Sequence, residues 1–215
     1  MLNLNMTLNL VTEESVPVDS LLTIVEQAIK GGVTIVQLRE KNSSGKEFYE
    51  KAKALKELLD AYNVPLIIND RIDIAIAVNA AGVHVGQSDL PLAIVKEIVP
   101  SSFIVGVSAG TLEEAMNAER DGATYIGVGS VFPTGTKGDA KLLPHGVLEE
   151  ITRTVSIPVV AIGGITLENI DTLQYKGIAG VAVVSAIMKA NNPSFVAQKF
   201  IEKLNSSIKE EVLEL

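Results

Sequence analysis

The sequence predicts a closed parallel (β/α)8 TIM barrel, and three observations carry that prediction. Eight short β-branched runs recur along the 215 residues, each ending in polar residues or glycine and followed by a stretch with helical spacing. Every run is nearly continuously apolar, as parallel strands covered on both sides are. Glycine and proline also take turns ahead of the strands, so that the repeating unit is two strand–helix pairs.

The expected strands, in order, are Thr7–Val11, Thr34–Arg39, Leu66–Asn69, Gly82–Val85, Phe103–Val107, Tyr125–Gly129, Val159–Ile162 and Val181–Val184. Phe48, Ala52, Leu55 and Leu59 share one face of the second helix, and Ile170 with Leu173 marks the seventh. Gly32, Gly82, Gly122 and Gly177 stand ahead of the even-numbered strands, where glycine closes a helix in left-handed geometry. Pro65, Pro100 and Pro158 stand ahead of the third, fifth and seventh, where proline stops a helix and extends its neighbour. An open doubly wound sheet is the alternative, weakened because no Gly-x-Gly-x-x-Gly follows the first strand.

Composition bounds the rest. Apolar residues at 47% and charged residues at 20% supply one substantial core and exclude a mainly disordered chain, so residues 1–215 are expected to form a single domain. Lys+Arg 18 against Asp+Glu 26 gives a charge of -8. That field argues against nucleic acid or anionic lipid as partners, and any anionic ligand must be met by local cations or metal. With no cysteine, thiolate nucleophiles, disulfides and thiolate metal sites are excluded. The N-terminus carries no basic region, and the longest uncharged apolar segment, Ile178 to Met188, is too short to span a bilayer. The expectation is a cytoplasmic protein acting on small molecules, with a homo-oligomer allowed.

A barrel places its functional residues at the carboxyl ends of the strands. At the end of the second strand, Gln37, Arg39 and Lys41 fall two apart and project to one face. An amide and two cations in a row suit an anion with several oxygens, such as a diphosphate, although a solvated turn would also read this way. Glu40 points the other way, which favours a structural role. The third strand ends at Asn69-Asp70, and Asp89 follows the fourth. If neighbours, these carboxylates repel by roughly 4 kcal/mol at ~4 Å and an effective dielectric of ~20. A cation relieves this, and two carboxylates with ligand oxygens and water match magnesium. The plain alternative makes Asp70 and Asp89 helix caps.

After the sixth strand, the segment Pro133-Thr134-Gly135-Thr136-Lys137-Gly138-Asp139 offers amides, hydroxyls and a lysine to phosphate oxygens. Gly163-Gly164 and Val184-Ser185 end the seventh and eighth strands, the place where barrels often bind phosphate. Ser108 follows the fifth strand, could hydrogen-bond a polar atom of a ligand ring, and has no base beside it in sequence. His84 lies inside the fourth strand and reads as a satisfied core residue, and with His145 it completes the histidine count, which weakens a Ser–His–Asp hydrolase.

Taken together, Gln37-Leu38-Arg39-Glu40-Lys41, Asn69-Asp70, Gly82-Val83-His84-Val85-Gly86-Gln87-Ser88-Asp89, Gly106-Val107-Ser108, Pro133-Thr134-Gly135-Thr136-Lys137, Gly163-Gly164-Ile165 and Val184-Ser185 resemble the thiamine phosphate synthase family over nearly the whole chain. The resemblance implies a barrel transferase that joins a hydroxymethylpyrimidine diphosphate to a thiazole phosphate with magnesium, releasing diphosphate in a dissociative substitution. It implies that Gln37, Arg39, Lys41 and Asn69 bind the pyrimidine diphosphate and that Asp70 and Asp89 hold magnesium. Ser108 would contact the pyrimidine, while Thr134, Thr136, Gly164, Val184 and Ser185 hold the thiazole phosphate. Lys137 would act on the departing diphosphate, which makes Lys137, Arg39 and Ser108 the expected catalytic residues. Leu38, Glu40 and Gly135 come with these substrate-binding segments.

Two positions depart from the family pattern. Members often carry His where this chain has Gly110, and Pro where it has Ser130. A related branch, the thiazole tautomerases, relies on that histidine, so its absence disfavours a tautomerase. A non-catalytic regulator binding a thiazole phosphate is the third reading.

Overall fold

The structure is a computed structural model that describes residues 4–14, 16–135, 141–173 and 177–211, with side chains described as far as residue 205. Strands β1 (Leu8–Val11), β2 (Ile35–Leu38), β3 (Leu66–Asn69), β4 (Gly82–Val85), β5 (Ile104–Ala109), β6 (Tyr125–Val128), β7 (Val159–Ile162) and β8 (Gly180–Val183) pair in parallel in sequence order. β1 closes the barrel on β8, with Asn9 opposite Ala182. Around it run α1 (Val18–Lys30), α2 (Gly45–Ala61), α3 (Ile72–Ala77), α4 (Leu92–Ile98), α5 (Leu112–Arg120), α6 (Val147–Thr154), α7 (Ser185–Met188) and α8 (Pro193–Glu211). The expected strands match these within two residues at either end.

Alternation along each strand divides the apolar residues into two layers. Ile35, Ile67, Ile104, Tyr125, Val160 and Ala182 fill the barrel. Val36, Leu38, Leu66, Ile68, Val83 and Val105 face outward, against helix residues such as Phe48, Ala52, Leu55 and Leu59. Each large aliphatic group so covered contributes about 1.5–3 kcal/mol. The α2 face is the one its sequence spacing predicts, and the helix opens with a capping box between Ser44 and Glu47.

Two expectations are corrected. Among the described residues the seventh helix is a 3-10 helix over Ile170–Leu173, where residues three apart eclipse one another so that Ile170 and Leu173 share one buried face. Gly82 is not a helix-closing glycine. Gly32, Gly122 and Gly177 do have positive φ, but before β4 it is Asn79 that does so, at φ 52. Gly82 lies within the strand, where a Cβ would stand 1.9 Å from the Ile104 carbonyl oxygen, so close approach of β4 to β5 requires it.

Candidate active site

The carboxyl ends of β2, β3 and β4 are neighbours in the sheet, and they bring the acidic and basic residues of the sequence to one mouth. Gln37 faces inward, 8% exposed, lining a cavity with Asn9, His84, Ser108 and Tyr125. Asn69, at the end of β3, is 7% exposed. Buried amides normally find partners, yet neither side chain makes a hydrogen bond among the described residues. Arg39 is tied through its backbone, whose N–H donates to Thr12 Oγ1 at 3.1 Å. Its guanidinium forms no ion pair among the described residues.

Lys41 donates to Asp70 Oδ2. Asp70 sits at φ 63, with its backbone N–H donating to the His84 carbonyl at 2.8 Å. This strained geometry directs a carboxylate where β3 meets β4. Burial pushes its carboxyl above the ordinary carboxylate range, the Lys41 ammonium pulls it down, and the Asp89 carboxyl pushes it up. Asp89 itself is held by the Gly86 N–H, which donates to Oδ2 at 2.7 Å. The capping alternative fails for both. α3 follows Arg71, which makes no side-chain cap bond, and α4 follows Pro91. Among the described residues no third His, Asp or Glu joins the pair as a metal cluster. Two adjoining carboxylates fit a magnesium ion, which takes few protein ligands and keeps the rest for water and substrate oxygens.

Leu38 and Glu40 do not share the mouth with this row. Leu38 is fully buried in the helix-facing layer, and Glu40 accepts from Lys51 Nζ at 2.7 Å and Ser43 Oγ at 2.6 Å. The strand pleat turns both away from the face that carries Gln37.

Across the mouth, the segment after β6 is rooted on β7. Val131 N–H donates to Ile162 O and Phe132 N–H to Gly163 O, both at 3.0 Å. Ser130, whose role sequence did not give, ties the segment together. Its Oγ donates to Phe132 O at 2.6 Å, and its carbonyl accepts from Leu143 N–H at 2.7 Å. Gly164, at φ 65, lies beneath this segment, where a Cβ would fall 2.4 Å from Pro133 O. Thr134 is half-buried and Gly135 exposed, whereas Thr136 and Lys137 lie outside the described residues. Val184 precedes α7, and Ser185 opens it in an exposed position.

A family model described as thiamine monophosphate synthase matches residues 8–187. A thiamine-phosphate synthase of Methanobrevibacter smithii is 50% identical over 204 residues, 95% of this chain and 98% of its own. The chain belongs to the thiamine monophosphate synthase family. A second thiamine-phosphate synthase, from Ruminiclostridium cellulolyticum, is 54% identical over 197 residues, covering 91% of this chain and 94% of its own. The solved thiamine phosphate pyrophosphorylase from Pyrococcus furiosus superposes with a TM-score of 0.86 at 37% identity, covering 96% and 99% of the two chains. Membership makes this chain a transferase enzyme. Among the described residues no helix is long and apolar enough to cross a membrane.

As a synthase-family barrel, the chain carries cavity-lining residues that sequence reasoning missed. Asn9 and Tyr125 line the cavity from β1 and β6. Both are polar-tipped residues at inward positions of otherwise aliphatic strands, a signal available once the register is known. At Gly110 the backbone N–H donates to Glu114 Oε2 at 2.6 Å, so the departure from histidine leaves a capped turn without a proton-transferring side chain.

Proposed function

We propose that this member of the family joins a hydroxymethylpyrimidine diphosphate to a thiazole phosphate, assisted by magnesium between Asp70 and Asp89. The observation that carries the proposal is the pair of adjoining carboxylates at the ends of β3 and β4, beside the cationic end of β2. Bound there, magnesium would neutralise charge on the diphosphate oxygens. Arg39 meets two of those oxygens at once and Lys41 adds a point charge, while Gln37 and Asn69 hold amide donors and acceptors toward the pyrimidine. The bond from the pyrimidine methylene carbon to the diphosphate oxygen breaks, and the oxygen takes the electron pair. The thiazole nitrogen lone pair then forms the new carbon–nitrogen bond.

Charge stabilisation and positioning are the tasks this requires of the protein. Ser108 contacts the pyrimidine, while Thr134, Thr136, Gly164, Val184 and Ser185 receive the thiazole phosphate. Lys137 accompanies the departing diphosphate, an assignment supported by its motif alone. The bare Gly110 disfavours a tautomerase.

Mixing both phosphorylated precursors with the protein, with and without chelator, and following product by mass tests the proposal. Coupled product and stoichiometric diphosphate are expected only with both precursors and magnesium. Diphosphate release at the same rate from the pyrimidine precursor alone would make the protein a phosphatase. Tight binding of the thiazole phosphate without turnover would make it a regulator.

A further inference from the structure

Three side chains from consecutive strands form a chain of hydrogen bonds inside the barrel, with Ser108 nearest the carboxyl ends. His84 Nδ1 lies 2.9 Å from the Tyr125 hydroxyl, and its Nε2 lies 3.0 Å from Ser108 Oγ. Two glycines make room for the contact. A Cβ on Gly106 would stand 2.2 Å from Tyr125 Cζ and 2.5 Å from His84 Nδ1, and one on Gly127 would stand 3.2 Å from His84 Cε1.

We infer that Tyr125 is a positioning residue that, acting through His84, turns the Ser108 hydroxyl into a hydrogen-bond donor toward the pyrimidine substrate. The substrate half of this inference rests on the proposed function; the relay half rests on geometry alone. A neutral imidazole has one N–H and one lone pair, so the chain has two directions. In the first, Tyr125 donates to Nδ1 and Nε2–H donates to Ser108. In the second, Ser108 donates to Nε2 and Nδ1–H donates to Tyr125.

Tyr125 decides between them. It is buried in the barrel, burial keeps its phenol protonated, and its hydroxyl has no second hydrogen-bond partner among the described residues. The second direction strands the phenol proton without an acceptor, at the full desolvation cost of a buried donor. The first leaves only spare lone pairs on an oxygen, which buried acceptors tolerate better. Ser108 therefore accepts from His84 and keeps its own proton for the ligand. The substrate atom facing it is an acceptor, such as a pyrimidine ring nitrogen.

The direction is measurable without substrate. His84 and His145 are the two histidines of the chain, so nitrogen NMR on His145→Gln protein reads His84 alone. The Nε2–H tautomer is expected, and Nδ1–H would overturn the relay. Tyr125→Phe is expected to lower kcat/KM for the pyrimidine diphosphate by about five- to tenfold, the size of one lost hydrogen bond, with KM for the thiazole phosphate unchanged. In a Ser108→Ala background the same substitution should change nothing further, because Tyr125 acts through Ser108. An undiminished loss in that background would reduce Tyr125 to a packing residue. If Tyr125→Phe does not fold, the tautomer of the otherwise unaltered protein decides. An Nε2–H imidazole in a chain that makes no thiamine phosphate would refute the function and leave the relay standing.

Discussion

Glu40 and Lys41 are adjacent at the end of β2, and each forms one ion pair, but the two pairs face opposite sides of the strand. On the helix side, Glu40 is 0% exposed and Lys51 11%. The carboxylate also accepts from Ser43, and the Lys51 ammonium also donates to the carbonyls of Glu14 and Val16 at 3.2 and 3.3 Å. Every charge there is satisfied. At the mouth, Lys41 is 42% and Asp70 19% exposed, and a second carboxylate crowds the pair. Charges that are paired to completion serve the scaffold, whereas charges left in conflict mark the place where a ligand completes the balance.

Removing one member of each region separates these roles. Glu40→Ala leaves the Lys51 ammonium buried without its carboxylate and is expected to cost about 3–5 kcal/mol of unfolding free energy, with turnover of the folded fraction retained. Chemical denaturation alongside activity per folded molecule checks it, and a loss of turnover at unchanged stability would move Glu40 to the mouth. Arg39→Ala should behave in the opposite way. It is expected to cost about 2–5 kcal/mol of transition-state stabilisation, roughly 30- to 5,000-fold in kcat/KM, while unfolding shifts by no more than about 0.5 kcal/mol. Wild-type kinetics in this variant would remove the cation row from the chemistry.

The same contrast explains what sequence made legible. Strand positions followed from β-branched runs, and the spacing Gln37-x-Arg39-x-Lys41 announced one polar face, because alternation along a strand is a local property. That Asp70 meets Lys41 and Asp89 depends on the β2–β3–β4 register, which residue types alone do not state. The motif carried Leu38 and Glu40 into the substrate row, and the pleat turns both away. Tyr125 escaped notice because its partner lies 41 residues away, and Ser130 was visible only as a departure from the family pattern, its role hidden because its bonds run within a segment of no periodicity.

On the β7 side of the mouth, backbone shape replaces charge, and the expected effect is correspondingly smaller. Gly164→Ala puts a Cβ at φ 65 and 2.4 Å from Pro133 O, and is expected to cost about 1–3 kcal/mol of stability. If this side holds the thiazole phosphate, its KM rises while KM for the pyrimidine diphosphate stays. An unchanged thiazole phosphate KM in the folded variant would make the glycine a packing device only.

The smallest effect tests the conflict at Asp70 itself. Burial raises its carboxyl above the ordinary value of 3.8, Lys41 opposes that rise and Asp89 adds to it. A raised acid binds its proton more tightly in the folded chain than in the unfolded one. The stability this contributes is complete below 3.8 and is lost as pH climbs through the raised value, so at neutral pH the ionised group weighs against folding. In chelator at neutral pH, Asp70→Asn should therefore melt slightly above the unaltered protein, by less than about 1 kcal/mol, and the difference should shrink as pH falls through the Asp70 titration. Adding magnesium should invert the order, because only the carboxylate gains from it. If the unaltered protein melts higher in chelator, the Lys41–Asp70 pair is a stabilising bridge like Lys51–Glu40, and the distinction between the two faces of β2 collapses.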